Sequence, residues 1–404
     1  MMNILVLTNF WPTASNSISG IFVPQQIAAL CRAGCQVTVL VGATLGKRKE
    51  RHLSPQELGL PAEEVTLVKV PLLRLPEALS ANRLAYRFNL RSTGLSVSRT
   101  MASLVRKTGT PQGCIVHGLR HYASSAPYWC GRLRARKIAC VHGVDPFLAR
   151  PSVVGYLKAD LQRAQHCLDK IILVGSPLRR HATELGINIS KTVVIPNGTE
   201  MPALSELPLN IVAGEGILKI ASVSNLIALK GIDDNIRALR LLKEQYGIAH
   251  WQYSVIGDGP ERQRLEALAW ALGLSNHIRF LGRLPYDETM HEIARADIIS
   301  LPSWGEAFGI VYLEAMARMK PTIGCHENGA ADIIADGDDG VLVPPKDPDS
   351  LALALKRLIE NPGLRERLGR EARRTAERFS WDANVRCVLE LLGLQSSSSQ
   401  DWAV

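Results

Sequence analysis

Glu306 and Glu314 stand eight residues apart in SWGEAFGIVYLEAMARMK, residues 303–320, with a glycine and a mostly apolar run between them. Acids at both ends of so apolar a stretch call for a reason. The preceding ADIISLPS reads as a strand. GIVYLEAMARM has helical spacing, with Ile310, Leu313 and Ala317 on one face. Glu306 then lies on a loop beside the helix start, and Glu314 lies more than one turn inside. Backbone amides around Phe308–Val311 lack intrahelical partners there, and the helix dipole favours an anion. Gly309 permits close approach to the backbone. From Gly309 to Glu314 the helix rises roughly 7–8 Å. A hexose, a diphosphate and a ribose in a row have a similar scale, and carboxylates accept well from paired hydroxyls. The spacing therefore suggests Glu306 on a sugar, amides on a phosphate and Glu314 on a ribose. The plainer alternative is a capped helix with one surface acid and one satisfied acid. A glycosidase-like pair needs two acids flanking one bond from opposite sides. Nothing in this spacing supports that.

The elements that must position these residues alternate along the chain. NILVLTNF, CQVTVLVG, GCIVHG, KIACVHG, KIILVG and TVVIPNG read as strands in the first half, with IFVPQQIAALCRAG as a helix ending at Gly34. PNGTEMPALSELPLNIVAGEG, residues 196–216, is rich in Pro and Gly and reads as an interdomain connection. The alternation then restarts: LKIASVS, WQYSVIGDG, HIRFLGR, DIISLPS, PTIGC and GVLVPP read as strands between amphipathic helices. A long helix is expected from about Asp349 to Arg378, then a helical FSWDANVRCVLELLGL and a polar, disordered tail. Short apolar strands separated by helices indicate parallel sheets with crossovers, so the fold class is α/β. Such sheets bind ligands outside the carboxyl ends of their strands.

At 404 residues the chain exceeds what one core usually organises, so two domains are expected. The formal net charge of +9 is uneven. Residues 1–200 carry 25 basic and 10 acidic side chains, and residues 201–404 carry 22 and 28. Basic residues concentrate in KRKER at 47–51 and from Lys69 to Lys107, where arginines alternate with Leu, Tyr and Phe. That segment suits an anionic membrane surface, a solvated helix face, or a basic wall for an anionic substrate. Nucleic acid is not an expected partner, because no reader motif accompanies the charge. The eight cysteines form no CxxC pair or His/Cys cluster and read as reduced thiols. No basic leader precedes a long apolar run, and no run is long enough to span a bilayer. We therefore expect a cytoplasmic protein, at most peripheral on the inner face of the membrane.

The chain resembles the family 4 glycosyltransferases. The motif E-x7-E, here Glu306-AFGIVYL-Glu314, carries the resemblance. ENGAADIIADGDDGVLVPPKDPDSLALAL follows it; VIGDGPERQRLEALAWALGL, HIRFLGRL and SNLIALKGID precede it. IPNGTE, CVHGVD and SGIFVPQQIAAL extend it into the first half, so most of the chain is covered in order.

The resemblance implies a GT-B fold, in which two Rossmann-like domains face a central cleft. It implies an N-terminal acceptor domain at 1–197, completed by 381–394 as the final helix crosses back. A nucleotide-sugar domain at 198–380 and a tail at 395–404 complete the division. It implies retaining, front-face transfer in which the departing phosphate accepts the acceptor's proton, with domain closure excluding water. Glu306 would hold donor-sugar hydroxyls and Glu314 the ribose. The main-chain amides of Phe308, Gly309 and Ile310 would hold sugar and phosphate. Lys230 would neutralise the diphosphate as charge develops on it. Many relatives carry Gly-Arg-Leu where this chain has Ser224-Asn225-Leu226. Asn225 brings no charge, so Lys230 would carry more of the electrostatic task, aided by Arg262 or Arg283. Gly20 would bring backbone amides near the diphosphate or the acceptor. His142 would meet the donor sugar as a neutral imidazole. His117 and Asp145 are weaker candidates, for loop structure or acceptor contact.

No cofactor or metal is expected, because Asp336-Gly337-Asp338 is better explained as turn chemistry. The expected partners are a nucleotide-sugar donor and a saccharide or lipid-linked acceptor; the oligomeric state stays open. The expected activity is metal-independent hexosyl transfer in cell-surface polysaccharide or glycolipid assembly. A nucleotide-sugar epimerase of the same fold would need no acceptor, and a sensor would bind the donor without turnover. The family motif argues against the first, and Glu306, Glu314, Lys230 and His142 argue against the second. A Rossmann dehydrogenase is weaker still, since the first loop lacks G-x-G-x-x-G.

Overall fold

The first half begins with MNILVLT, whose last five residues are buried. A strand buried on both faces must sit inside a sheet covered on both sides. The computed structural model describes residues 1–44, 51–76, 79, 82–143, 151–207 and 216–394. Its first sheet comprises β1 (Met2–Thr8), β2 (Cys35–Thr44), β3 (Val65–Leu72), β4 (Gly113–His117), β5 (Arg136–Val141), β6 (Lys170–Leu173) and β7 (Thr192–Val194). The order is β3-β2-β1-β4-β5-β6-β7, and every pair is parallel. β3 is the strand that the apolar runs do not reveal. It lies at the sheet's edge, and in VTLVKVPL apolar residues mix with an exposed lysine and threonine.

The second sheet comprises β8 (Leu218–Val223), β9 (Trp251–Ile256), β10 (Ile278–Gly282), β11 (Ile298–Ser300), β12 (Thr322–Cys325) and β13 (Val341–Val343). Its order is β10-β9-β8-β11-β12-β13, again all parallel. The chain divides into two compact units. One is Met1–Pro196 with the segment from Trp381 onward; the other is Asn197–Ser380. The division falls one residue before the expected boundary. Residues 208–215 of the connection and the tail from 395 lie outside the described residues.

The returning helix Trp381–Leu392 completes the first unit's core. Trp381, Val385, Val388, Leu389 and Leu392 join Val23, Ile27 and Leu30 of the helix Phe22–Arg32. Polar contacts fix the pairing: Gln26 Nε2 donates to Asn384 Oδ1 at 2.7 Å, and Asn384 Nδ2 donates to the Pro196 carbonyl at 2.6 Å.

Two helices differ from their expected lengths. The helix expected over 349–378 is two, Pro348–Glu360 and Pro362–Arg378. Pro362 has no N–H to continue the ladder and pushes Asn361 out of the helical region, to φ −120° and ψ 84°. The helix after Glu306 spans only Ile310–Met316. Met319 turns to φ +59° and Pro321 follows, so the chain enters β12 at once.

Candidate active site

In the second unit the strand order reverses between β8 and β11, which are neighbours in the sheet but far apart in the chain. At such a switch point the loops leaving the two carboxyl ends diverge and open a crevice. Lys230 lies on the loop after β8, and Glu306 lies on the loop after β11.

The loop after β8 is held by backbone. Ser224 N donates to the Ile256 carbonyl, Leu226 N to the Asp258 carbonyl, and Glu261 N to the Leu226 carbonyl. Gly257 makes this approach possible: at φ +127°, a Cβ there would lie 1.8 Å from the Ser224 carbonyl oxygen. Next, Gly231 at φ +64° caps the helix Ile232–Gln245. That helix is pinned by a buried network. Asn235 Nδ2 donates to Ser222 Oγ, Tyr253 Oη and the Ser300 carbonyl, and Asn235 Oδ1 accepts from Ser300 Oγ at 2.6 Å. The network ties β8, β9 and β11 to the helix that begins two residues after Lys230.

The loop after β11 leans on the same turn. Trp304 N and Ser303 Oγ both donate to the Leu229 carbonyl. Lys230 Nζ and Glu306 Oε2 then meet at 2.5 Å, with side chains only 17% and 13% exposed. Gly309, at φ +93°, precedes the helix Ile310–Met316. The apolar residues of this helix root it: Tyr312, Leu313 and Met316 are fully buried, and Tyr312 Oη donates to the Leu301 carbonyl at 2.7 Å. Phe308 also turns its ring into the core, at 2% exposure. Among the described residues, the amides of Phe308, Gly309 and Ile310 donate to no protein acceptor.

Glu314 is buried, at 8% exposure. Burial pushes its carboxyl up to about 7, against the lowering pull of Arg318 and of a hydrogen bond from Tyr286. Asn225 and Arg283 are both exposed, and neither side chain has a hydrogen bond or ion pair among the described residues. Arg262 is committed elsewhere: its guanidinium reaches Glu266 at 2.8 Å, the Phe280 carbonyl at 3.4 Å and Asp258 at 3.8 Å. Asp336 serves its turn by accepting from Leu342 N at 2.8 Å.

In the first unit His142 follows β5 and is stacked on His117, at the end of β4. The ring centroids are 5.1 Å apart, and His117 Nδ1 lies 2.8 Å from His142 Nε2. His117 is thus a buried partner of His142. Burial pushes His117 down to about 3; burial and then the nearby His117 hold His142 well below the usual histidine range. Both rings stay neutral at pH 7. Phe22 lies against His142 with centroids 4.3 Å apart, and the Phe10 ring stands edge-on at 5.7 Å. Gly20, at φ +72°, lets the loop after β1 pass so close that a Cβ would lie 2.5 Å from the Phe10 carbonyl. Gly20 therefore places the phenylalanine that borders His142. Asp145 lies outside the described residues.

The sequence reading missed Tyr286, Arg318 and the His117–His142 contact. Tyr286 comes from a helix start 28 residues before Glu314, and no spacing rule links the two.

Two family models cover most of the chain between them. "Glycosyltransferase Family 4" matches residues 20–201, and "Glycosyl transferases group 1" matches residues 211–375. The chain belongs to the family 4 glycosyltransferases. It is similar to an uncharacterized glycosyltransferase of Methanocaldococcus jannaschii, 28% identical over 280 residues, which is 69% of this chain and 70% of the relative. It is similar to a D-inositol 3-phosphate glycosyltransferase of Salinispora tropica, 35% identical over 43% of this chain and 38% of the relative. That second match spans well under half of the relative's length. Among solved structures, HepE of Anabaena in complex with UDP and glucose superposes with a TM-score of 0.71 at 18% identity, covering 97% of this chain and 100% of HepE. The fold is accordingly GT-B, with two Rossmann-like units, and the enzyme class is glycosyltransferase.

Proposed function

We propose that this glycosyltransferase moves a hexose, with retention, from a nucleoside-diphosphate sugar to a hydroxyl of a saccharide or lipid-linked acceptor. The product would enter a cell-surface polysaccharide or glycolipid. One observation carries the reading. Lys230 and Glu306 meet at the β8/β11 switch point, beside the unpartnered amides of Phe308–Ile310 and one helical turn from Glu314.

In this reading the diphosphate takes Lys230 from Glu306, and the released carboxylate accepts from sugar hydroxyls. Lys230 and the amides then stabilise the diphosphate as it gains charge on leaving. Asn225 and Arg283 add exposed polar contacts beside it. Glu314 accepts from the ribose hydroxyls in its ionised form. His142, held neutral, hydrogen-bonds the sugar without adding charge, and the Gly20 loop frames it. No side chain is assigned as a nucleophile; the leaving phosphate takes the acceptor's proton. The first unit, with its basic excess, holds the acceptor. HepE was crystallised with UDP and glucose, which makes UDP-glucose the first donor to try.

The test is turnover. UDP-, GDP- and ADP-sugars are screened by thermal shift, and the stabilising donor is assayed with saccharide and lipid-pyrophosphate acceptors. Glu306→Gln should cut transfer at least 100-fold while the variant still folds, with a cooperative melting transition. Turnover that survives in that variant would remove Glu306 from the site.

A further inference from the structure

The carboxyl edge of the first sheet carries a surface that donor chemistry does not use. It lies on the helix Arg83–Thr108, which connects β3 to β4. One side of this helix is core: Ala85, Leu90, Val97 and Met101 are buried. On another side Leu84, Phe88 and Leu95 are 77%, 41% and 50% exposed. Steps of four and seven put these three on one line of the helix, with Arg91 between Phe88 and Leu95. Folding of the unit explains the first face and leaves the second without a role.

The segment after β3 widens the apolar face. Leu73 and Leu75 are 55% and 38% exposed. They are laid along the helix by its own side chains. Asn89 accepts from Leu75 N at 2.7 Å and donates to the Leu75 carbonyl at 3.1 Å, and Ser92 Oγ donates to the Leu73 carbonyl at 2.6 Å. Arginines border the face. Arg83, Arg87 and Arg91 are exposed, and among the described residues none has an acidic partner. From Lys69 to Lys107 the chain holds eight basic residues and a single acid, Glu77.

We infer that this face docks on an anionic lipid bilayer. The leucines and Phe88 would enter the acyl boundary, and the arginines would meet lipid phosphates. The charge argues for this occupant: a strongly cationic rim with almost no acid complements a uniformly anionic surface. Isolated apolar residues on a surface need no explanation, but a held cluster ringed by unpaired arginines does. The face also flanks the carboxyl edge at which β1, β4 and β5 deliver Gly20, His117 and His142. A lipid-linked acceptor bound at that edge would keep its tail beside the bilayer. The inference goes beyond the proposed transfer reaction, and its test needs no sugar donor.

The full chain is sedimented with phosphatidylcholine vesicles containing 30% phosphatidylglycerol, and with pure phosphatidylcholine vesicles. Binding is expected only to the anionic vesicles and should fall with salt. The triple variant Leu84→Ser, Phe88→Ser, Leu95→Ser and the triple variant Arg83→Gln, Arg87→Gln, Arg91→Gln should each bind at least tenfold more weakly, with unchanged melting curves. In a Phe88→Trp variant, anionic vesicles should blue-shift the emission of the added tryptophan. No binding, equal binding to both vesicle types, or binding untouched by the variants overturns the inference. So does self-association of the parent chain that the Leu84, Phe88 and Leu95 changes abolish, which would make the face a contact between copies.

Discussion

The ion pair of Lys230 and Glu306 sets a competition that can be measured. Each neutralises the other in a site only 17% and 13% exposed, so in the proposed reaction an incoming diphosphate replaces the carboxylate on the lysine. Glu306→Gln removes that competitor. The variant should bind the free nucleoside diphosphate of the stabilising donor, which has no sugar, more tightly than the parent, by up to about tenfold. Lys230→Met should weaken the same ligand and lower kcat by about 100-fold. Isothermal titration with that nucleoside diphosphate separates these directions, and its weaker binding to Glu306→Gln would break the argument. Glu314 adds a pH term. Its folded-state pKa of about 7 lies above the ordinary 4.5, so the folded chain holds the extra proton. The stability this contributes is full below pH 4.5 and is lost as pH rises through 7. If Glu314 takes the ribose as proposed, its ionised carboxylate is the better acceptor for the hydroxyls, so nucleotide binding near pH 7 should release a proton and tighten toward pH 8. Titrations in two buffers of different ionisation enthalpy reveal the proton, and Glu314→Gln should abolish it. Both acids and the lysine are legible in the sequence because their motif is local. Tyr286 against Glu314 and His117 on His142 are not, because tertiary packing alone brings them together.

Elements position these residues through close backbone approaches. Gly257 is the tightest: a Cβ would meet the Ser224 carbonyl at 1.8 Å, and φ is +127°. Gly257→Ala should destabilise the second unit by on the order of 3 kcal/mol, read as a fall of roughly 10 °C in its melting transition. A melting curve like the parent's would mean that the loop after β8 has room to move. The six strands of the second sheet were legible as short apolar runs, since each is buried on the faces that helices cover. β3 was not, because an edge strand with an exposed Lys69 and Thr66 loses the continuous apolar signature. The helical period across 349–378 is legible, but it masks the break at Pro362. The proline's missing N–H makes two helices of one pattern.

At the scale of the whole molecule, the first unit depends on the far end of the chain. Trp381, Val385, Val388 and Leu389 cover Val23, Ile27 and Leu30, and Trp381 Nε1 donates to Gln25 Oε1 at 3.2 Å. Ending the chain at Ser380 should therefore abolish the first unit's cooperative unfolding, while residues 197–380 keep theirs. Calorimetry of the truncated protein should show one transition lost and one retained. Two intact transitions would show that the helix Phe22–Arg32 does not need its cover. The fold class and the two-unit plan were legible from the repeated strand–helix alternation, whereas the return of the last helix came only from the family resemblance. That return bears on how the protein is made. Synthesis runs from the N-terminal side, so residues 1–196 leave the ribosome before residues 197–380 and still lack their last helix. Residues 197–380 can close as soon as they emerge. The unit translated first is completed last, and until Leu392 is out, its unfinished apolar face is the part of the nascent chain that a chaperone would hold.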